Sequence, residues 1–401
     1  MKNKTTILNA ALVIFTVLFM VVVGEAFLRV YFFRTLAQPF STLPVTVPHP
    51  TRTIAYAPHS VGRHQELDFN VPIEINAQGL RGTDIGPKDH RQRILFVADS
   101  TTFGSGVPVE QILPTLLAKE LGEDQVDIIN GGFATYNTVQ ELLFLEEEGL
   151  SYQPDLVVLA FSPNTDIQTN TLALQQLHQK KKVRAYAYLD DAGQLQLDLR
   201  YVKAFYEKQK DRSSEDHLKP YFKRHVLYRL GKLLVKSFQT SAFHDPNIFI
   251  GWPFLAEFAP EYSTRGMTKE DYRQLWDDGW AVTQALILRM RDESVAQGAK
   301  FAMMVMAPKL QVEEEYQQKV REVYPGLKLD LTRINRIIEQ FGHEAHIPVL
   351  DALTPLVQAE QAGETDLYFH IEDEHMTAKA HKIVAESLAQ QLREQGLVSA
   401  Q

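Results

Sequence analysis

Five short apolar runs, each bounded by turn residues, constrain this chain more than any other feature. They occupy residues 94–97, 126–129, 156–161, 301–306 and 348–350. Among and after them, near 109–121, 138–149, 268–298, 331–342 and 377–395, apolar residues recur at helical spacing. Strands alternating with helices imply a parallel sheet covered on both faces. The predicted fold is α/β, a flavodoxin-like three-layer α/β/α arrangement. In such sheets ligands bind beyond the carboxyl ends of the strands. The residues that follow each strand are therefore the candidates for chemistry.

Composition excludes several kinds of chemistry. The 401 residues carry 41 Lys and Arg against 50 Asp and Glu, a net charge of −9. Nucleic-acid binding needs a basic surface to neutralise phosphates, so it is not expected. The chain has no Cys, which removes disulfides, thiolate nucleophiles and thiolate metal sites. Any nucleophile must be an oxygen or an amine. No His, Asp and Glu cluster has metal-ligand spacing, so neither a metal nor a cofactor is expected.

The N-terminus reads as a membrane anchor over residues 1–34. Residues 7–24 are 18 positions without a charge. At ~1.5 Å per residue they reach ~27 Å, close to the hydrocarbon thickness of a bilayer. A cleaved signal peptide is the alternative, with Lys2 and Lys4 as its basic start. The rest of the chain is expected outside the cytoplasm, as in a single-pass protein of the cell membrane. Pro39, Pro44, Pro48, Pro50 and Pro58 mark residues 35–67 as an extended tether. Residues 68–395 form the remaining domain.

Residues 168–267 interrupt the strand–helix rhythm as an insertion. Within it, residues 180–236 hold 15 Lys and Arg against 7 Asp and Glu, a net charge of +8. Residues 221–238 place Phe222, Val226, Leu230 and Leu234 at helical spacing. A basic amphipathic helix can contact an anionic surface. More often such a helix is docked, with a solvated basic face.

Four loops after the strands carry polar groups suited to acyl transfer. Ala98-Asp99-Ser100-Thr101 follows the first strand, and a Ser at a strand-to-helix turn can expose its hydroxyl beside helix N–H groups. Asn130-Gly131-Gly132-Phe133-Ala134-Thr135-Tyr136 follows the second, where the two glycines are expected to make a turn. Ser162-Pro163-Asn164-Thr165-Asp166 follows the third, and Asn164 offers a side-chain amide to an oxyanion. Asp373-Glu374-His375 precedes the last helix, where an Asp two residues before a His can orient its imidazole. Ser100 and Asp373 also suit helix capping, and His370 and His381 are rival bases. Asp99 is expected to brace the turn, and Trp252, Trp276 and Trp280 to pack.

In their order along the chain, these four pieces resemble the SGNH (GDSL-type) hydrolase superfamily. The segment Ile75-Asn76-Ala77-Gln78-Gly79-Leu80-Arg81-Gly82 and the run RILFVADSTTFGSGV resemble its membrane-anchored bacterial branch. The resemblance spans about residues 68–395. It implies Ser100 as nucleophile, His375 as general base and Asp373 as the carboxylate that orients it. It implies an oxyanion hole from the Ser100 N–H, the Thr135 N–H and the Asn164 side chain. The sequence departs from the family pattern at Ala98 and Thr135, where the family has Gly, and at Thr165, which separates Asn164 from Asp166.

The expected function is a membrane-tethered extracytoplasmic serine esterase or acyltransferase acting on O-acyl, above all O-acetyl, groups of polysaccharide. The alternatives are a lipid or lysophospholipid esterase and a non-catalytic binding protein on the same fold. The expected partners are an ester-bearing carbohydrate, the membrane through the N-terminal helix, and an anionic surface through residues 180–236.

Overall fold

In the strand that leads to Ser100, successive side chains enter two different cores. Leu95 and Val97 join one apolar cluster, and Ile94, Phe96 and Ala98 the other, all fully buried. The same division holds for Val157, Leu159 and Phe161 against Leu156, Val158 and Ala160. A strand whose two faces are both apolar belongs in the middle of a three-layer fold.

The computed structural model describes residues 2–31, 46–65, 69–163, 165–178, 183–209, 252–256, 267–370 and 375–399. Its strands are β1 (Thr46–His49), β2 (Thr53–Tyr56), β3 (Val61–Gln65), β4 (Asn70–Glu74), β5 (Gln92–Ala98) and β6 (Val126–Gly132). They continue as β7 (Leu156–Phe161), β8 (Tyr186–Leu189), β9 (Leu195–Asp198), β10 (Lys300–Val305) and β11 (Val349–Asp351). The central sheet has the order β11-β10-β7-β5-β6, all parallel. That is the 2-1-3-4-5 order of the flavodoxin-like class, as expected. Helices Thr138–Glu147, Lys269–Ala296 and Arg333–Glu344 supply residues to one core. Helices Leu113–Leu121, Leu353–Gln361 and Ala378–Glu394 supply the other.

The chain divides into two compact units, Met1–Thr42 with Arg212–Asn247 and Leu43–Asp211 with Ile248–Gln401. The described part of the first is a helix, Lys2–Tyr31. Among the described residues no helix is long and apolar enough to cross a membrane. The expected span at 7–24 falls partly on side chains outside the described residues, which begin continuously at Leu12. From 12 to 23 the large apolar side chains are 45–66% exposed.

The structure corrects the tether. Residues 46–65 are extended, as their prolines require, yet they pair and pack. β1 pairs antiparallel with β2, and β3 with β4. Arg52, 1% exposed, forms ion pairs with Glu147 at 3.1 Å and with Glu148. Tyr136 Oη donates to the Ile54 carbonyl at 2.7 Å, and Gln140 Nε2 to the Arg52 carbonyl at 2.7 Å. The insertion is described only in part. Helix Asp166–Asn170 leads into it, and helix Leu172–His178, the antiparallel β8–β9 pair and helix Arg200–Gln209 lie within it. The predicted helix at 221–238 and Lys180, Lys181 and Lys182 lie outside the described residues.

Candidate active site

Ser100 begins a four-residue helix, Ser100–Phe103, directly after β5. Asp99 caps it: Oδ1 accepts from the Thr101 N–H at 2.8 Å and from Thr101 Oγ1 at 2.6 Å. This is the bracing role expected of Asp99. Gly104 ends the helix with φ +77, and a Cβ there would run into the Ile112 side chain. Glycine is required on both counts.

Arg81, buried from an earlier turn, closes the same helix from below. Its Nη1 donates to the carbonyls of Phe103 at 2.7 Å and Gly104 at 2.6 Å, and its Nη2 to that of Val107 at 2.6 Å. Burial brings its guanidinium down to about 10. Arg81 lies in the segment 75–82, to which the sequence alone assigns no site role. A helix four residues long cannot satisfy its own carbonyls, and that deficit was the available signal.

His375 reaches Ser100 from the far end of the chain. Its Nε2 lies 2.7 Å from Ser100 Oγ. The rival histidines are engaged elsewhere. His370 Nε2 pairs with Asp366 Oδ1 at 2.8 Å on the surface. His381 is 1% exposed, and its Nδ1 accepts the Leu113 N–H at 3.1 Å. Burial first, then the neighbouring His375 and Arg81, pushes it down to about 3. Asp373 and Asn164 lie outside the described residues.

Ser162 is hydrogen-bonded to Thr165 and Asp166 on the far side of position 164. Thr165 and Asp166 N–H groups donate to the Ser162 carbonyl at 3.0 and 2.9 Å, and the Ser162 N–H donates to Asp166 Oδ2 at 2.8 Å. Thr135 is exposed and holds φ +82. Its backbone therefore adopts the left-handed conformation that glycine takes more easily. Thr135 is not among the residues that line the cavity over Ser100.

Gly131 and Gly132 are not turn residues. They end β6, and each allows a close approach. A Cβ at Gly131 would meet the Phe96 carbonyl and the Phe144 ring, and one at Gly132 would meet the Phe103 N–H. β6 and the Ser100 helix can therefore touch through backbone. Asn130 Nδ2 adds a hydrogen bond to the Thr102 carbonyl at 3.0 Å. Trp276 and Trp280 pack as expected, the first fully buried and the second against Phe161 and Phe341. The Trp252 side chain lies outside the described set.

A cavity of about 220 Å³ opens over Ser100 and His375. Met306, Ala307, Lys309 and Tyr368 line it beside Ser162 and Pro163. Behind the Ser100 turn sit two fully buried carboxyls, Glu141 and Asp166. Burial pushes both well above the usual carboxylate range. Asp166 and Asp99 add to the effect on Glu141, and Asp99 to that on Asp166. Neither Glu141 oxygen has a hydrogen-bond partner among the described residues. A buried carboxyl in that condition is held neutral, because the ionised form is unsolvated.

Residues 267–401, the part that supplies β10, β11 and His375, match the family model for the SGNH hydrolase-like domain of the acetyltransferase AlgX. Ser100 lies outside the matched residues. None of the curated proteins compared matches this chain. Solved structures similar to it include a lipase/acylhydrolase from Enterococcus faecalis, 12% identical, with a TM-score of 0.37 over 77% of this chain and 98% of that one. A catalytic mutant of the acetylxylan esterase Axe2 from Geobacillus stearothermophilus is 12% identical, with a TM-score of 0.36 over 77% and 97%.

Proposed function

We propose that this SGNH hydrolase-like protein is a serine-dependent esterase or acyltransferase for O-acetyl groups of polysaccharide, of the membrane-anchored bacterial branch. The observation that carries the reading is the 2.7 Å contact between Ser100 Oγ and His375 Nε2 at the floor of a cavity. Ser100 Oγ attacks the acyl carbonyl while His375 Nε2 takes its proton. Asp373 orients the imidazole. The Ser100 N–H and the Asn164 amide stabilise the oxyanion; the Thr135 N–H, expected to join them, belongs to a residue that does not line the cavity and is left out of the proposal. The sugar oxygen leaves with the proton held by His375, and an acyl-serine remains. Water or a second hydroxyl then attacks the acyl-serine while His375 takes its proton, the bond from the acyl carbon to Ser100 Oγ breaks, and His375 returns the proton to Ser100 Oγ as the acid or the new ester leaves.

The size of the cavity favours a short acyl group. About 220 Å³ falls below the ~300–1,000 Å³ of sites that enclose larger ligands. The match to the domain of an acetyltransferase supports acetyl as the acyl group handled. The exposed apolar side chains from 12 to 23 support contact with a membrane, and a site outside the cytoplasm is proposed with it. The basic stretch at 180–236 is proposed to contact an anionic surface.

A fluorophosphonate probe should label Ser100, and acetylated polysaccharide should lose or exchange acetyl groups. Failure of both would make the protein a non-catalytic member of the fold. Release of long-chain acids with no action on acetyl esters would make it a lipid esterase.

A further inference from the structure

Lys309 lines the cavity yet has 7% of its side chain exposed. It opens the short helix Lys309–Val312, where a cation faces the positive end of the peptide dipoles. Helix stability therefore does not explain a lysine there. Its Nζ donates to the Phe369 carbonyl at 3.0 Å, lies 3.5 Å from Glu313 Oε2, and sits 5.4 Å from the Tyr316 ring centroid.

Phe369 belongs to the hairpin that carries His375. The Phe369 N–H donates to the His375 carbonyl at 3.0 Å, and the Thr377 N–H to the Leu367 carbonyl at 2.9 Å. Tyr368 and Met376 form an antiparallel bridge between these bonds. A second bond ties the same hairpin to the same loop: Tyr368 Oη donates to the Ala307 carbonyl at 2.6 Å. Residues 307 and 309 follow β10, a neighbour of β7 and one strand removed from β5. The sheet thus holds the histidine hairpin through two side-chain bonds.

We propose that Lys309 is a positioning residue, whose ammonium pins the Phe369 carbonyl so that His375 Nε2 stays within reach of Ser100 Oγ. Glu313 supplies the counter-charge that makes a buried ammonium tolerable there. The inference rests on the reading of Ser100 and His375 as the reacting pair. Misplacing a reacting group by about 1 Å can cost ~10²-fold in rate.

The test compares Lys309→Met, Lys309→Arg and Tyr368→Phe with the wild type. Lys309→Met should lower kcat ~10- to 100-fold on a small neutral acetyl ester and leave KM nearly unchanged. Lys309→Arg should recover part of the loss. Tyr368→Phe should cost less, and the double variant Lys309→Met with Tyr368→Phe should be non-additive, because both bonds hold one hairpin. Hydrogen exchange at the Phe369 and Thr377 amides should be faster in Lys309→Met. A rise in KM with kcat intact would overturn the proposal and make Lys309 a substrate-binding group. Unchanged kcat with unchanged amide protection would overturn it outright. If the wild type turned over no ester, the esterase reading would fail, and the exchange measurement would still decide whether Lys309 orders the hairpin.

Discussion

Arg81 Nη1 donates to the Phe103 carbonyl at 2.7 Å, and so fixes the last residue of the helix that Ser100 begins. The same guanidinium bonds Gly104 and Val107 and lies over the Phe103 ring, 5.2 Å from its centroid. Removing it leaves three carbonyls without these donors. Arg81→Ala is expected to cost about 3 kcal/mol, read from the urea midpoint at constant slope. Arg81→Lys should recover less than half, because a point ammonium cannot reproduce the fork. An Arg81→Ala midpoint equal to wild type would show that the neighbouring loops alone hold the helix.

Ser100 and His375 are 275 positions apart in sequence and in contact in space. Ser100→Ala and His375→Ala should each lower ester turnover by ~10³-fold or more. The double variant should be scarcely worse than either single, because groups that act as a unit lose their effect together. Wild-type turnover in Ser100→Ala would remove the serine mechanism.

Thr135 holds φ +82 on the surface. The left-handed region costs a non-glycine residue about 1–2 kcal/mol, and glycine's extra freedom in the unfolded chain returns about 0.4–1 kcal/mol of that. Thr135→Gly should therefore raise the thermal midpoint slightly and leave turnover unchanged or higher. A lower midpoint would mean that the threonine side chain makes a compensating contact.

His381 is held neutral in the fold, at about 3 against an ordinary 6.5, chiefly by burial. The unfolded chain takes up this proton as pH falls through 6.5, and the folded chain does so only near 3. Its contribution to stability is thus complete above 6.5 and is lost between 6.5 and 3. His381→Asn keeps an acceptor for the Leu113 N–H and does not titrate. The urea midpoint of this variant should fall less than that of the wild type between pH 7 and pH 4. Parallel pH curves would assign the acid sensitivity to other groups.

Glu141 has the opposite sign. Its folded carboxyl is raised well above 4.5 by burial, with Asp166 and Asp99 adding to the shift. The stability it contributes is complete below 4.5 and is lost as pH rises toward the folded value. Glu141→Gln should make the protein more stable near pH 7 and flatten the alkaline side of its stability curve. A neutral-pH loss in Glu141→Gln would show that the carboxylate is ionised and needed.

The sequence by itself determined the layers. Apolar runs bounded by turns specify buried parallel strands, and residues 156–161 were legible to the residue because both faces of β7 are apolar. It also determined that Ser100 sits at a strand-to-helix turn braced by Asp99, since such a bond spans two residues, although the cap that Ser100 also suited falls to Asp99. Contacts between distant segments were not legible. Residues 46–65 read as tether because their prolines report an extended backbone, and backbone conformation does not say which partner pairs with it. Gly131 and Gly132 read as a turn because glycine permits either a turn or a close approach, and the β6 contact with Phe103 selects the second. Arg81 and Lys309 carry no local signature, because their roles lie in carbonyls 22 and 60 positions away. Only the tertiary structure decided that His375, and neither His370 nor His381, meets Ser100. Burial against Leu113 neutralises one rival, a surface Asp366 holds the other, and the folded sheet delivers the third histidine to the hydroxyl.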